Sequence, residues 1–213
     1  MFNKIVKVPK TETKPSEELI LNAAVKVFTR KGYAGARMEE IAKEAGINRA
    51  LLHYYFRDKE TMFNIIFETK FKEFFTGMFG VFQSNVSFKE KIKNIIDNEI
   101  TVLSKHPDLA KFVIMEIAQQ PERLIQFGQK LGFNPRLMLE NFQKEIQQNV
   151  QEGKIRPIDG RQLLMNILSI CIYPFVAKPI IKTMMQMDEN TFVDLMEKRK
   201  KDAYEFIINA ITP

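Results

Sequence analysis

Cysteine, histidine and tryptophan are scarce in this sequence of 213 residues, which contains one, two and none of them respectively. A single cysteine, Cys171, excludes an intrachain disulfide and fits a reducing compartment. The two histidines, His53 and His106, belong to no HExxH motif, and the sequence has neither a CxxC pair nor a glycine-rich phosphate loop. We therefore expect no enzyme, no catalytic residue, no metal site and no cofactor.

Long apolar stretches are also missing. No segment approaches the roughly 20 uninterrupted apolar residues of a membrane-spanning helix, and the longest candidate, 167–181, is interrupted by Pro174, Lys178 and Pro179. The first ten residues, MFNKIVKVPK, have too short an apolar core for a signal peptide. These absences predict a cytoplasmic protein that does not contact a membrane.

Phenylalanine and methionine, by contrast, are plentiful, at 18 and 11 residues in a chain that is 45% hydrophobic. Apolar residues recur at helical spacing without strand-like alternation, so we predict an all-α fold of about nine helices. Predicted helices 1 to 9 cover residues 16–31, 38–45, 49–56, 59–82, 88–104, 109–118, 135–152, 159–174 and 192–210. The segment 121–131 is a further short candidate. A deformable interior of Phe and Met suits adaptable binding as well as packing.

The positive charge is concentrated near the N-terminus. The net charge is +6. Residues 1–57 carry 11 Lys and Arg against 6 Asp and Glu, whereas residues 58–213 carry 21 against 20. A basic N-terminal region is the electrostatic footprint expected for DNA binding. Within it, 1–14 is predicted to be a flexible basic arm, which could follow DNA phosphates or simply be a solvated terminus.

Residues 38–59 have the pattern of a helix-turn-helix. Met38, Ile41 and Ala45 recur at the spacing of a short first helix. Gly46 can adopt the positive φ of a helix C-cap, and Asn48 is a suitable N-cap for the second helix. A second helix this short can lie in a DNA major groove. The alternative is an ordinary helical hairpin with a solvated polar face.

The outward side chains of the second helix suit DNA. Arg49 can bind a guanine edge or a phosphate, and Ala50 allows close approach to a thymine methyl group. His53 and Tyr54 offer hydrogen bonds to bases or phosphates. Lys59 opens the next helix, where a cation and unpaired backbone N–H groups can meet a phosphate together.

The segment 32–63 resembles the N-terminal signature of the TetR/AcrR family of transcriptional regulators. The family's Phe-x-x-x-Gly-Tyr end of the first helix is matched at 28–33, and its Ile-Ala-x-x-Ala-Gly core at 41–46. Its Leu-x-Tyr-Tyr/His-Phe-x-x-Lys-Glu stretch is matched at 52–60. The resemblance covers about the first quarter of the chain.

Two positions depart from the family pattern. The family often has Tyr where this sequence has His53, which alters the contact made there. It also often begins the second helix with Thr or Ser, which contacts phosphate, whereas Ala36 and Arg37 stand here. We expect Arg37 to supply this contact by charge. The predicted DNA-binding residues are Arg37, Asn48, Arg49, Ala50, His53, Tyr54 and Lys59.

The resemblance implies a DNA-binding domain over 1–57 and a helical ligand-binding and dimerisation domain over 58–213. The expected function is a ligand-responsive transcriptional regulator, a repressor released from a palindromic double-stranded operator by a small apolar or amphipathic molecule. The predicted ligand-binding residues are Phe67, Phe71, Phe112, Glu116, Phe142 and Tyr173. Predicted helix 4, which is rich in Phe, is the expected lever between ligand and DNA; its apolar residues could equally be simple core.

The resemblance also implies a homodimer. In the TetR family the helices equivalent to predicted helices 8 and 9 pair across a two-fold axis into a four-helix bundle. Both helices carry more apolar surface than one buried side needs, although both stripes could also lie in the core of one chain.

Two other classes of function remain open at this point. One is an architectural DNA-binding protein without a ligand, which a ligand-dependent change in operator affinity would exclude. The other is a helical enzyme with a Phe-rich pocket, against which the shortage of catalytic residue types argues.

Overall fold

A computed structural model of the protein describes residues 17–213, which form eleven α-helices and no β-strand. The predicted all-α fold is confirmed. The basic arm predicted for 1–14 lies outside the described residues. In chain order the helices are α1 (Glu17–Gly35), α2 (Met38–Glu44), α3 (Arg49–Tyr55), α4 (Lys59–Gln83), α5 (Phe88–Lys105), α6 (Pro107–Gln119), α7 (Glu122–Lys130), α8 (Pro135–Gln151), α9 (Gly160–Val176), α10 (Lys178–Met184) and α11 (Glu189–Ile211).

The structure has two more helices than predicted, and a proline lies next to the first residue of each. Pro121 immediately precedes α7, which occupies the short candidate segment 121–131. Pro179 lies in the first turn of α10, where the missing N–H group costs nothing because first-turn N–H groups have no partner within the helix. No helix was predicted for this segment, because predicted helix 8 was taken to end at Pro174.

The chain divides into two compact units, the first ending at Phe63 and the second running from Asn64 to Pro213. This division falls a few residues after 57 because the start of α4 packs within the first unit. The ring of Phe63 lies 5.0 Å from the ring of Phe28 and 4.9 Å from that of Tyr33, between ring centroids. The first unit therefore has its own small aromatic core.

The first unit is built on one face of α1. Its buried residues, at the spacing of a helical stripe, are Ile20, Ala23, Ala24, Val27 and Phe28. Gly32 interrupts the helix with φ 69° and ψ 173°, a backbone conformation that residues with a side chain rarely adopt. The predicted end of the first helix at this glycine is confirmed. The helical conformation then resumes for one turn, up to Gly35.

The second unit is organised around α5. Five of its apolar residues are completely buried: Ile92, Ile95, Ile96, Ile100 and Leu103. This helix packs against α11, α9 and α8, so its apolar stripe is the centre of the unit. Burial of such side chains contributes on the order of 2 kcal/mol each.

Candidate nucleic-acid interface and the interior of the second unit

Local sequence signals form the turn between α2 and α3. Gly46 has φ 69°, and the N–H of Ile47 donates to the carbonyl oxygen of Ala42 at 2.9 Å, closing the end of α2. The side-chain oxygen of Asn48 accepts a hydrogen bond from the N–H of Leu51 at 2.8 Å. Asn48 is therefore the N-cap of α3, as predicted.

Ion pairs join α2 to α1. Glu44 lies 3.7 Å from the Lys26 ammonium and 3.9 Å from the Arg30 guanidinium. Lys31 binds Glu40, and this hydrogen bond lowers the pKa of the Glu40 carboxyl. Exposed pairs of this kind contribute little stability individually, and together they make three contacts between α1 and α2.

The predicted DNA-binding residues lie on the surface of the first unit, with one exception. Arg37, Asn48, Arg49, Ala50, His53 and Tyr54 are exposed, and Tyr54 retains 79% of its surface. Arg37 occupies the N-cap position of α2 without a side-chain capping bond, so its guanidinium is available at the start of that helix. Lys59 is only partly exposed.

The Arg49 guanidinium is held from two sides. Its Nη1 donates to Glu39 Oε1 at 2.8 Å, and its Nε donates to His53 Nε2 at 3.4 Å. His53 Nδ1 lies 3.2 Å from the carbonyl oxygen of Arg57. Since a carbonyl oxygen can only accept, Nδ1 carries the proton and Nε2 is the acceptor for Arg49. This network uses Nε–H and one Nη1 hydrogen, so three of the five N–H donors of Arg49 remain, one on Nη1 and two on Nη2.

Lys59 has a role inside the first unit. Its ammonium donates to the carbonyl oxygens of Tyr33 at 2.9 Å and Ala36 at 3.2 Å, and it lies 4.4 Å from the Tyr33 ring centroid. An ammonium has three N–H donors. Lys59 thus ties the start of α4 to the end of α1 and keeps one donor for a phosphate. The sequence did not reveal this role, because the partners are 26 and 23 positions away.

The second unit contains a cluster of phenylalanines that brings together three of the six predicted ligand-binding residues. The Phe67 ring lies 5.9 Å from Phe71, 6.1 Å from Phe112 and 5.1 Å from Phe127, between centroids. Phe127 lies on α7 and was missed because the segment that carries it was read only as a short helix candidate.

Glu116 forms an ion pair next to this cluster. Its Oε1 lies 3.3 Å from Arg123 Nε, and the Arg123 guanidinium is 5.3 Å from the Phe67 ring centroid. Burial raises the pKa of the Glu116 carboxyl, and the positive charge of Arg123 partly opposes this. Glu116 is therefore a buried carboxylate with a cationic partner.

The structure does not bring Phe142 and Tyr173 to the Phe67 cluster. Phe142 packs against Phe82 at 5.4 Å and Phe88 at 5.8 Å between ring centroids. Tyr173, on α9, is 61% exposed. The six residues predicted as one lining set thus occupy three places in the second unit.

Phe142 lines a cleft of about 250 Å³ between the end of α4, the start of α5 and α8. Its apolar walls are Phe79, Phe82, Phe133, Leu137, Met138 and Phe142. Lys91 and Glu145 supply the charged part of its lining, and they form an ion pair at 2.7 Å. We call this cavity the Lys91 cleft.

A carboxyl group without a hydrogen-bonding partner lies in the core of the second unit. Glu99, on α5, is completely buried, and neither of its oxygens has a hydrogen-bond partner among the described residues. Burial raises the pKa of Glu99 to about 8, although the adjacent Asn98 side chain lowers it in part. The Glu99 carboxyl is thus mainly protonated at neutral pH.

Residues 17–213 contain no group of three His, Cys, Asp or Glu side chains that could hold a metal ion. No single helix among them is long and apolar enough to cross a bilayer. Only α9 and α10 taken together, with a bend of 72° between them, reach that length and hydropathy.

Two protein-family models match the chain, one for each compact unit. The model described as bacterial regulatory proteins of the tetR family matches residues 20–66, which include the helix-turn-helix. The model described as the tetracyclin repressor-like C-terminal domain matches residues 89–207, more than half of the chain. The chain belongs to the TetR family of bacterial regulatory proteins. The resemblance found in residues 32–63 is thereby confirmed.

Individual relatives agree with this assignment. The fatty acid metabolism regulator protein of Bacillus subtilis is 25% identical over 145 residues, which cover 68% of this chain and 73% of that one. The ketosteroid transcriptional regulator KstR2 of Mycobacterium tuberculosis has a TM-score of 0.67 at 16% identity, covering 91% of this chain and 93% of that one. The regulator FadR from Bacillus subtilis in complex with stearoyl-CoA has a TM-score of 0.52 at 21% identity, covering 89% and 98%. At these identities the two structures show a shared fold.

Membership of the TetR family decides between the classes of function left open above. The protein is a ligand-responsive, DNA-binding transcriptional regulator and not an enzyme. TetR-family regulators bind operator DNA and small-molecule effectors, typically as dimers. The first unit supplies the helix-turn-helix.

Proposed function

We propose that this TetR-family protein is a cytoplasmic repressor that binds a near-palindromic operator as a two-fold homodimer and leaves it when an acyl compound binds. The observation that carries the proposal is the exposed face of α3, where Glu39 and His53 hold the exposed guanidinium of Arg49.

The face of α3 enters the major groove. Arg49 reads a guanine through its Nη1–Nη2 fork, and Ala50 permits the close approach that this contact needs. Tyr54, Arg37 and the third donor of Lys59 bind phosphates and set the register of the helix on the duplex. His53 holds Arg49 in place through its Nε2 and makes no base contact of its own.

The outer faces of α9 and α11 form the dimer interface. These two helices correspond to predicted helices 8 and 9, and each carries large apolar side chains on its surface. On α9, Met165 is 53% and Tyr173 is 61% exposed; on α11, Val193 is 46% and Phe206 is 67% exposed. Large apolar side chains exposed on two neighbouring helices of an isolated chain support a protein–protein contact there, and a two-fold axis lets the same surface serve both partners.

An acyl effector is supported by two features of different kinds. The second unit has a Phe-rich interior, which favours an apolar ligand. Two of the similar proteins described above are a fatty acid metabolism regulator and a regulator in complex with stearoyl-CoA. An apolar acyl chain is therefore consistent with the aromatic interior of the second unit and with the descriptions of these two similar proteins.

Selection of binding sites from a random double-stranded library tests the DNA part. We expect a near-palindrome whose half-sites place the two recognition helices roughly 34–36 Å apart. Fluorescence anisotropy with this operator and a series of fatty acids and acyl-CoA esters then tests the effector, with an expected 5- to 150-fold loss of affinity, about 1–3 kcal/mol of coupling. Sequence-specific binding that no acyl compound changes would overturn the acyl effector.

A further inference from the structure

The Lys91 cleft combines aromatic walls with a buried cation. Rings from α4 and α8 line it, with Phe82 packed edge-on against Phe142 at 5.4 Å between centroids. The Lys91 side chain, on α5, is only 8% exposed. An ammonium so poorly hydrated needs an anionic partner, because burying an unpaired charge is strongly unfavourable.

Glu145 is that partner in this structure, and it is the more accessible member of the pair. Its Oε2 accepts from Lys91 Nζ at 2.7 Å. The Glu145 side chain is 25% exposed, three times the exposed fraction of Lys91. The Glu145 carboxylate, at the rim of the cleft, can rotate to face solvent at little cost. The buried Lys91 ammonium cannot reach solvent in this way. Another carboxylate could therefore replace Glu145 without leaving the buried ammonium unpaired.

We infer that the Lys91 cleft binds a small apolar monocarboxylic acid whose carboxylate takes the place of Glu145 on Lys91. The hydrocarbon part lies against Phe79, Phe133 and Met138. This inference rests on the proposed function, because it names the chemical class and site of an effector. The ligand class inferred here is narrower than the acyl compounds proposed above, since this cleft binds the free acid and not a coenzyme A ester.

The volume and the charge both limit the ligand. At about 250 Å³ the cleft lies below the roughly 300–1,000 Å³ of pockets for drug-sized ligands, so a nucleotide-bearing ester is too large to be enclosed. An amine would approach Glu145 only beside the like charge of Lys91. An alcohol could accept a hydrogen bond but could not neutralise Lys91 if Glu145 moved away.

Calorimetric titration of the full-length protein with octanoate and with 1-octanol tests this inference. In the wild type, octanoate binds and 1-octanol binds at least about tenfold more weakly, because hydrogen bonds to a charged group are worth more than neutral ones. Lys91→Met keeps the aliphatic stem and removes the charge, so octanoate affinity falls by about 10- to 100-fold while that for 1-octanol stays the same. Lys93→Met, on the exposed side of α5, is the matched control and retains wild-type affinity.

Glu145→Gln is the second variant for the same titration. Because it removes the competing carboxylate, octanoate binds this variant as tightly as the wild type or more tightly. Wild-type octanoate affinity in Lys91→Met, or a loss of affinity in Glu145→Gln, overturns the inference. Should Lys91→Met unfold, as judged by its circular dichroism melt, Met138→Trp fills the cleft while leaving the ion pair in place. Octanoate affinity in Met138→Trp equal to that of the wild type would then overturn the inference.

Operator binding separates failure of this inference from failure of the proposed function. A protein that binds a palindromic operator but not octanoate retains its proposed function and loses only this site. A protein that binds octanoate through Lys91 but shows no sequence preference for DNA keeps the site, and the proposed repressor function fails.

Discussion

Arg49 Nη1 and Glu39 Oε1 are 2.8 Å apart, although they lie on different helices of the helix-turn-helix. The side chains are 62% and 66% exposed, so the pair contributes little to stability. It instead orients the guanidinium that we propose reads the operator. If so, helix α2 contributes to base readout through a residue that itself needs no contact with DNA.

Glu39→Gln is expected to separate affinity from specificity. Loss of a negative charge near the DNA backbone tightens non-specific binding and raises the salt slope by up to about one unit. Loss of the support for Arg49 lowers discrimination at the base it reads by about 1 kcal/mol. Anisotropy titrations with operator and scrambled DNA at several salt concentrations measure both quantities.

Glu18→Gln, an exposed residue in the first turn of α1, makes the same change of charge away from Arg49. It should leave the ratio of specific to non-specific affinity unchanged. If Glu39→Gln preserved that ratio as well, Glu39 would have no part in positioning Arg49.

Lys59→Met is expected to weaken both folding and DNA binding. The variant loses two partly buried hydrogen bonds from an ammonium to carbonyl groups, so the free energy of unfolding of the first unit falls by about 1–3 kcal/mol. The salt slope of DNA binding also falls, by about one unit. Lys43→Met on α2, where the lysine is exposed, is the control for urea unfolding. If Lys59→Met changed the salt slope but kept the wild-type free energy of unfolding, Lys59 would contribute to DNA binding and not to folding.

Glu99→Gln is expected to remove a pH dependence of stability. The carboxyl has a pKa of about 8 in the folded protein, against its usual value of 4.5. Below pH 4.5 it is neutral in both states, whereas between pH 4.5 and 8 only the unfolded chain loses the proton. Wild-type stability therefore falls as pH rises through this window, by a few kcal/mol in total, and remains low above it.

Urea unfolding at pH 5, 6.5 and 8 measures this effect. Relative to the wild type, Glu99→Gln should gain stability steadily from pH 5 to pH 8. Glu140→Gln, at an exposed position on α8, should show a constant difference from the wild type. A wild type and Glu99→Gln that lose stability in parallel would show that Glu99 is ionised in the folded protein.

Phe206→Asp is expected to break the dimer. The ring is 67% exposed in the single chain, and an aspartate at a two-fold interface would face its own copy or lie buried. Hot-spot aromatic residues contribute about 2 kcal/mol or more, so the dimer dissociation constant should rise at least about 30-fold. Sedimentation equilibrium measures it, with Met115→Asp on α6 as the control at another exposed apolar position. A dimeric Phe206→Asp would place the interface elsewhere.

Local signals made the helix-turn-helix predictable. Gly46 and Asn48 act on backbone groups within a few residues of themselves, so their types alone locate the turn and the start of α3. Glu39, which binds Arg49, and the two carbonyl groups that bind Lys59 lie 10 to 26 positions away, and their contacts depend on how helices pack. Apolar spacing tells which face of a helix is buried but not which helix covers it.

The second unit shows the same limit. Phe67, Phe71 and Phe112, predicted to line a ligand pocket, do lie close together, and all three are on strongly apolar helical faces. Tyr173 follows the apolar stripe of α9 in sequence, yet it points outward. Lys91 could have been noticed, since it stands three positions after the buried Phe88 on the stripe of α5. A charge at such a position needs a partner, but nothing in the sequence points to Glu145.

The environment of Cys171 makes the natural chain a convenient background for spin labelling. Burial raises the pKa of this thiol to about 12, and the thiolate is the reactive species. A methanethiosulfonate label would therefore react with an introduced cysteine and spare the native one. Replacing the exposed Arg57, just beyond α3, would put one label beside each recognition helix of a dimer. The distance between the two labels could then be followed as effector is added.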